Sequence, residues 1–245
     1  MRKFIAVCLC ICGLIAVLGG CGLICGEPSA EEKLAHIKSS GDYPEILIET
    51  AEKCPQTIDF VYAYPEKHDK RFDIDLSSET HGGSVPLFIQ WDERWGYEPY
   101  GSGFIGTSGC GPTCLSMAAV YLTKNAAFSP LYVARMAEQY GYCVPGNGSS
   151  WTLISEGCAR LGLTAQELPL WEQSMKNALD DGAVLILALG PGDFTSSGHF
   201  IVVTGCTADG FSVNDPNSRE NSARSWSYDR LSPQISNLWS LSVAH

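Results

Sequence analysis

The chain is 245 residues long, and its 16 Lys and Arg against 27 Asp and Glu give a net charge of −11. An acidic chain with no dense basic run lacks the clustered cations that grip a phosphate backbone, which excludes a nucleic-acid-binding surface. Its 25 Gly and 13 Pro follow no period, so the chain is neither fibrous nor low-complexity, and its length fits one or two compact domains.

Residues 4–26 carry no charge and follow Arg2-Lys3, the pattern of a secretory leader. A stretch of this length also suffices to span a bilayer, which needs about 20 apolar residues. Within it, Leu18-Gly19-Gly20-Cys21 resembles a bacterial lipobox, which implies cleavage before Cys21 and lipidation of that residue. A lipid-anchored chain and an uncleaved single span both stay open. In either, the flanking positive charges stay on the cytoplasmic side and the rest of the chain faces outward. Beyond this segment the cysteines are Cys54, Cys110, Cys114, Cys143, Cys158 and Cys206, too sparse for a disulfide-stapled scaffold.

Residues 27–42 are polar and read as a loop-like tether. Tyr43–Lys53 places Ile46, Leu47 and Ala51 on one helical face, and a second short helical pattern follows Pro55 as far as Tyr62. His36, His68 and His81 read as solvated surface residues, and no catalytic feature is visible before residue 85. These shifts divide the chain into a leader or anchor (1–26), a tether with short helices (27–84) and a main domain (85–245).

The main domain opens with a short apolar extended run, Val85–Trp91, and a Gly-rich loop from Gly101 to Gly111. Pro112 then sits where a first-turn proline is tolerated, and Leu115 to Leu122 form a helix apolar nearly all round, hence buried. Capping residues signal three more helices: Ser129-Pro130 into Ala137, Ser149-Ser150 into Leu161, and Leu170 into Asp181. The period then changes to that of strands. Ala183–Leu189, His199–Thr204 and Phe211–Asn214 read as strands, with Asp209-Gly210 turning between the last two. Helices followed by an antiparallel sheet make an α+β fold.

Cys110 lies at a loop-to-helix junction, Gly109-Cys110-Gly111-Pro112-Thr113. Unpaired N–H groups and the positive end of the helix dipole there favour a thiolate. His199 is the one histidine set in an apolar strand, after Gly198, and is the natural base. Asp215 ends the strand that folds back on it and is placed to orient the imidazole. Taken singly, each has a plainer reading: a small buried thiol, a hydrogen-bonded core histidine, an Asp-Pro turn. Zinc on Cys110, Cys114 and His199 lacks a fourth ligand, and Pro112 between the cysteines fits a helix start better.

Four stretches resemble the bacterial papain-like cysteine peptidases related to the bacteriocin-processing, double-glycine-cleaving enzymes. They are Val85-Pro-Leu-Phe-Ile-Gln90-Trp-Asp, Ser108-Gly-Cys110-Gly-Pro-Thr113, Ser197-Gly198-His199-Phe-Ile-Val-Val and Val213-Asn-Asp215-Pro. The resemblance implies a papain-like α+β fold, with Cys110 as nucleophile, His199 as base and then acid, Asp215 as its orienter and Gln90 as oxyanion-hole donor. A side-chain amide and a backbone N–H are the neutral donors that the charge developing on a carbonyl oxygen requires. Trp91, Trp95 and Tyr97 read either as groove walls or as packed aromatics. The sequence departs from the exporter-borne enzymes in having no Gly-rich phosphate loop followed by Lys-Ser or Lys-Thr and no multi-helix membrane portion.

The expectation is therefore a membrane-tethered, outward-facing cysteine peptidase-like hydrolase. It would act on peptides or cell-wall peptides through a thioester acyl-enzyme, with no metal or organic cofactor and no nucleic-acid partner. An acyl transferase or amidase on the same triad, and a binding domain of the same fold without chemistry, are the alternatives.

Overall fold

The computed structural model describes residues 27–244, so the leader and Cys21 lie outside the described residues. At the N-terminal end, α1 (Ala30–Ser39), α2 (Glu45–Lys53) and the short α3 (Ile58–Tyr62) bury Ile37, Leu47, Ala51, Phe60 and Val61 in a small core of their own. The first helix corrects the reading of residues 27–42 as a loop-like tether. Ser29 accepts from the Glu32 N–H, and the Glu32 carboxylate accepts from the Ser29 N–H at 2.8 Å, so a capping box starts a helix in this polar segment.

The main body is a six-stranded antiparallel sheet built from β1 (Leu163–Glu167), β2 (Val184–Leu189), β3 (His199–Thr207), β4 (Gly210–Asn214), β5 (Ser225–Trp226) and β6 (Ile235–Val243), in the order β1-β6-β2-β3-β4-β5. Every residue of β2 is buried because the sheet is covered on both faces. On one face Ile186, Phe200, Val202 and Trp239 meet the buried helix α4 (Cys110–Thr123) and its neighbour α5 (Pro130–Gln139). On the other, Leu185, Leu187, Ile201 and Val203 pack with Met175 of α6 (Glu172–Asp180). Helices before an antiparallel sheet give the α+β, papain-like layout expected.

Three local expectations change. Ser149–Leu161 is not one helix but a turn of α-helix at Thr152–Ser155 and a 3₁₀ turn at Gly157–Leu161. Gly157 packs against Tyr142, whose ring carbon lies 3.1 Å from where a Cβ would stand. Val85–Trp91 joins no sheet. Its carbonyls at Val85 and Pro86 accept from the Asn214 side chain, and the Gln90 N–H donates to the Pro216 carbonyl at 2.8 Å. Strands β1 and β6 have no counterpart in the sequence reading, although β6 pairs with both β1 and β2.

Candidate active site

Cys110 is the first residue of α4, so its N–H is among the four that a helix leaves without an intrahelical acceptor. The helix start is crowded. Gly111 faces the two-stranded hairpin Cys143–Val144 and Gly148–Ser149, and a Cβ on Gly111 would lie 2.7 Å from the Ser149 hydroxyl oxygen. Glycine there lets the hairpin come against the helix that Cys110 starts and form one side of a cleft.

His199 opens β3 and is buried. Its Nε2 lies 2.8 Å from Asp215 Oδ1, which leaves Nδ1 for the Cys110 sulfur. Asp215 is fully buried just past the end of β4, and its carboxylate is held on every side. Oδ1 also accepts from the Asn217 N–H at 2.8 Å, and Oδ2 accepts from the Asn221 side chain at 2.8 Å. A buried carboxylate is tolerated when its lone pairs are engaged in this way. Trp226 Nε1–H donates to the Asn221 carbonyl at 3.0 Å and so fixes that residue's backbone.

The segment around Asp215 also sets Gln90. Besides the bond from the Gln90 N–H to the Pro216 carbonyl, Trp91 Nε1–H donates to the Asn217 carbonyl at 3.3 Å. The Gln90 side chain is buried, and its Nε2 donates one proton to the Gly106 carbonyl at 3.0 Å. The second Nε2 proton remains for a ligand in the cleft that Gln90, Cys110 and His199 line together. Gln90 Oε1 has no hydrogen-bond partner among the described residues.

Electrostatics follow from this geometry. Burial by itself raises the Cys110 pKa, but the His199 hydrogen bond and charge, with the N–H groups of Phe200 and Gly111, outweigh it and the net shift is downward. For His199, burial favours the neutral ring, yet the hydrogen bonds to Asp215 and Cys110 prevail and lift the pKa to about 10. Both shifts favour a thiolate–imidazolium pair. Cys114, one turn into α4, is buried, its thiol points at the Phe200 carbonyl at 3.2 Å, and burial drives its pKa well up.

The structure thus brings Cys110, His199 and Gln90 to one cleft of about 540 Å³, with Asp215 buried behind His199 and bonded to its Nε2. Trp95 and Tyr97 are buried and Trp91 half-buried, and all three are packed aromatics: Trp95 beside Phe88, Tyr97 stacked on Phe60, Trp91 against Asn217. The sequence reading missed Asn221, for which an Asn six residues past the Asp is too weak a signal. It expected the helix α2 but missed its place at the cleft, which Thr50, Lys53 and the following Cys54 reach from outside the main domain. Among the described residues no cluster of His, Cys, Asp and Glu suited to a metal ion occurs.

Two solved structures match the chain at low identity. The peptidase domain of Streptococcus ComA, a bi-functional ABC transporter involved in a quorum-sensing pathway, is 18% identical with a TM-score of 0.46. That match covers 65% of this chain and 98% of that one. A protein described as a C39-like peptidase from Bacillus anthracis is 14% identical with a TM-score of 0.40, over 70% of this chain and 98% of the other. No curated protein matches the chain. The family described as Peptidase_C39 like family matches residues 83–242, well over half of the sequence, and the chain belongs to that family.

Proposed function

We propose that the chain is a cysteine peptidase that hydrolyses amide bonds in peptides, including cell-wall peptides, on the outer side of the cytoplasmic membrane. One observation carries the reading: a buried 2.8 Å bond from His199 to Asp215 that leaves the other ring nitrogen to Cys110 at a helix N-terminus. A domain that only binds has no need of a Cys, His and Asp aligned in this way at a helix N-terminus.

The proposed chemistry starts from a Cys110 thiolate and a His199 imidazolium, the forms that the two pKa shifts favour. The Cys110 thiolate attacks the scissile carbonyl carbon. The negative charge that moves to oxygen meets the Cys110 N–H and the free Nε2 proton of Gln90. His199 gives its Nδ1 proton to the leaving nitrogen as the C–N bond breaks, and a thioester remains on Cys110. Water then attacks the thioester, His199 takes its proton, and the acid product leaves with the thiolate restored. Asp215 keeps its charge throughout and holds the imidazole by Nε2. The uncharged run after Arg2-Lys3 supports the outward, membrane-tethered placement, by lipidation at Cys21 or by a single span.

The test is a pair of rates on the purified chain, turnover of a peptide pool and alkylation of Cys110 by iodoacetamide. His199→Ala lowers both near neutral pH. Gln90→Ala lowers kcat by roughly 10²–10³-fold, as removal of one oxyanion donor does, and leaves alkylation within a few-fold of wild type. Turnover that survives Cys110→Ala refutes the proposal. Added amine separates hydrolysis, which yields the acid alone, from transfer, which yields an adduct.

A further inference from the structure

The cleft has a wall from a part of the chain that lies before residues 83–242. The C-terminal turn of α2 and the residue after it bring Thr50, Lys53 and Cys54 to the cleft that holds Cys110, His199 and Gln90. This wall is fixed to the segment carrying Asp215. Gln56 donates from Nε2 to the Ser218 hydroxyl at 3.0 Å and accepts from the Arg219 N–H at 3.0 Å, while the Cys54 thiol lies 3.8 Å from the Asn217 carbonyl.

Charge singles out Lys53. The chain as a whole is acidic, with 27 Asp and Glu against 16 Lys and Arg. Among the described residues that line this cleft, however, no Asp or Glu appears and Lys53 is the only Lys or Arg. Its ammonium rests 2.6 Å from Glu49, one turn back on the same helix, and its side chain is 73% exposed. An exposed pair of this kind is held weakly, so the ammonium exchanges readily or shares its three protons.

We infer that Lys53 is a specificity-determining residue that receives a carboxylate of the substrate, either the chain terminus or an acidic side chain, in the same cleft as Cys110. This rests on the reading of Cys110 as nucleophile. An ammonium that meets no acid inside the cleft, set in an otherwise acidic protein, favours a bound anion over its neutral isostere.

The experiment measures alkylation of Cys110 in the full-length chain, located by peptide mapping, with two matched pairs of labels. The first is bromoacetyl-Ala-Ala against its C-terminal amide. The second is bromoacetyl-Glu-Ala-amide against bromoacetyl-Gln-Ala-amide. Iodoacetamide is the reference. At low label concentration the acid member of one pair should react roughly tenfold faster than its neutral twin, the range of one charge-assisted hydrogen bond. Preference in the first pair assigns a chain terminus, and preference in the second an acidic side chain. Lys53→Gln should bring the ratio to about one and Lys53→Arg should keep it, in keeping with one retained charge. Because Lys53→Gln leaves Glu49 unopposed, the ratio is measured again with Glu49→Gln added, and it should remain near one. Equal rates in both pairs, a preference that survives Lys53→Gln, or alkylation by iodoacetamide but by no peptide label overturns this inference alone. No alkylation of Cys110 by any reagent overturns the nucleophile assignment and this inference with it.

Discussion

Cys110 and Cys114 lie one turn apart on α4 and differ in what sets thiol reactivity. The first has His199 beside it and the unpaired N–H groups of the helix start. The second is sealed against the Phe200 carbonyl, and burial pushes its pKa up. Iodoacetamide at mildly acidic pH should therefore modify Cys110 first and leave Cys114 silent, as read by mass mapping. Preferential labelling of Cys54 or Cys143 would contradict this. Asp215 governs the other end of the pair. The proposed mechanism needs a charged imidazole, and the His199 pKa is raised from 6.5 to about 10, so activity should persist through neutral pH and fall as pH rises through the raised value. The stability that the raised His199 contributes has the same sign: it is fully present below the ordinary histidine value and lost as pH rises through about 10. Asp215→Asn keeps a group for Nε2 but removes the charge, so the alkaline limb of the kcat/KM profile should move to lower pH by a unit or more. An unmoved limb would show that Asp215 has no electrostatic hold on His199. At this scale the sequence was legible, because a Cys after Gly at a helix start, a His in an apolar strand and an Asp ending the next strand each carry a local signature. Asn221 carries none. It becomes visible only when the chain folds back and puts its amide 2.8 Å from Asp215.

At the scale of elements, the site depends on close approach between pieces distant in sequence. The hairpin at Cys143–Ser149 comes against α4 only because Gly111 has no side chain. A Cβ there would stand 2.7 Å from the Ser149 oxygen and 2.8 Å from its Cβ, and the latter is not a flexible end that swings aside. Gly111→Ala gains roughly 1 kcal/mol of helix propensity but incurs an overpacking cost of about 1–3 kcal/mol. The balance lowers Tm by about 2–4 °C per kcal/mol of net loss, and kcat/KM falls with it because the hairpin lines the cleft. Adding Ser149→Gly should restore part of the Tm by clearing the clash, though it also removes the partner of the Tyr100 hydroxyl. A single variant as stable and as active as wild type would mean that the hairpin is not held against the helix. The elements themselves divide by how local their signals are. The helix at 110–123, apolar nearly all round, and the strand at 184–189, apolar throughout, were readable. The strand at 235–243 was not, because Ser236, Asn237, Ser240 and Ser242 make it resemble a surface segment, although it is paired on both sides. Val85–Trp91 looks like a strand by composition and is held instead by Asn214 and Pro216, a partnership that no local pattern encodes.

At the scale of the whole molecule, residues 27–82 are more than a spacer between a membrane and an enzyme. They close their own small core over the main body. Phe60 stacks on Tyr97 with ring centroids 4.3 Å apart, the Tyr97 hydroxyl donates to the Phe60 carbonyl at 2.8 Å, and Trp91 and Phe104 pack at the same cluster. Ile46 reaches Gly103, where a Cβ would meet it at 2.8 Å. An aromatic side chain buries roughly 150–250 Å², and at about 25 cal/mol per Å² the uncovering of Tyr97 with its neighbours costs several kcal/mol. A domain of this size has only about 5–15 kcal/mol in total. Residues 83–245 made alone should therefore melt at least about 10 °C below residues 27–245, and should bind a hydrophobic dye that the longer chain does not. The loss of activity should exceed the loss of folded protein, because Lys53, Cys54 and the Gln56 clamp on Ser218 and Arg219 leave with the removed segment. Thermal unfolding of the two chains, with turnover normalised to the folded fraction, separates the two effects. If the shorter chain melts within about 2 °C of the longer and turns over peptide at the same normalised rate, the N-terminal helices are only a tether after all.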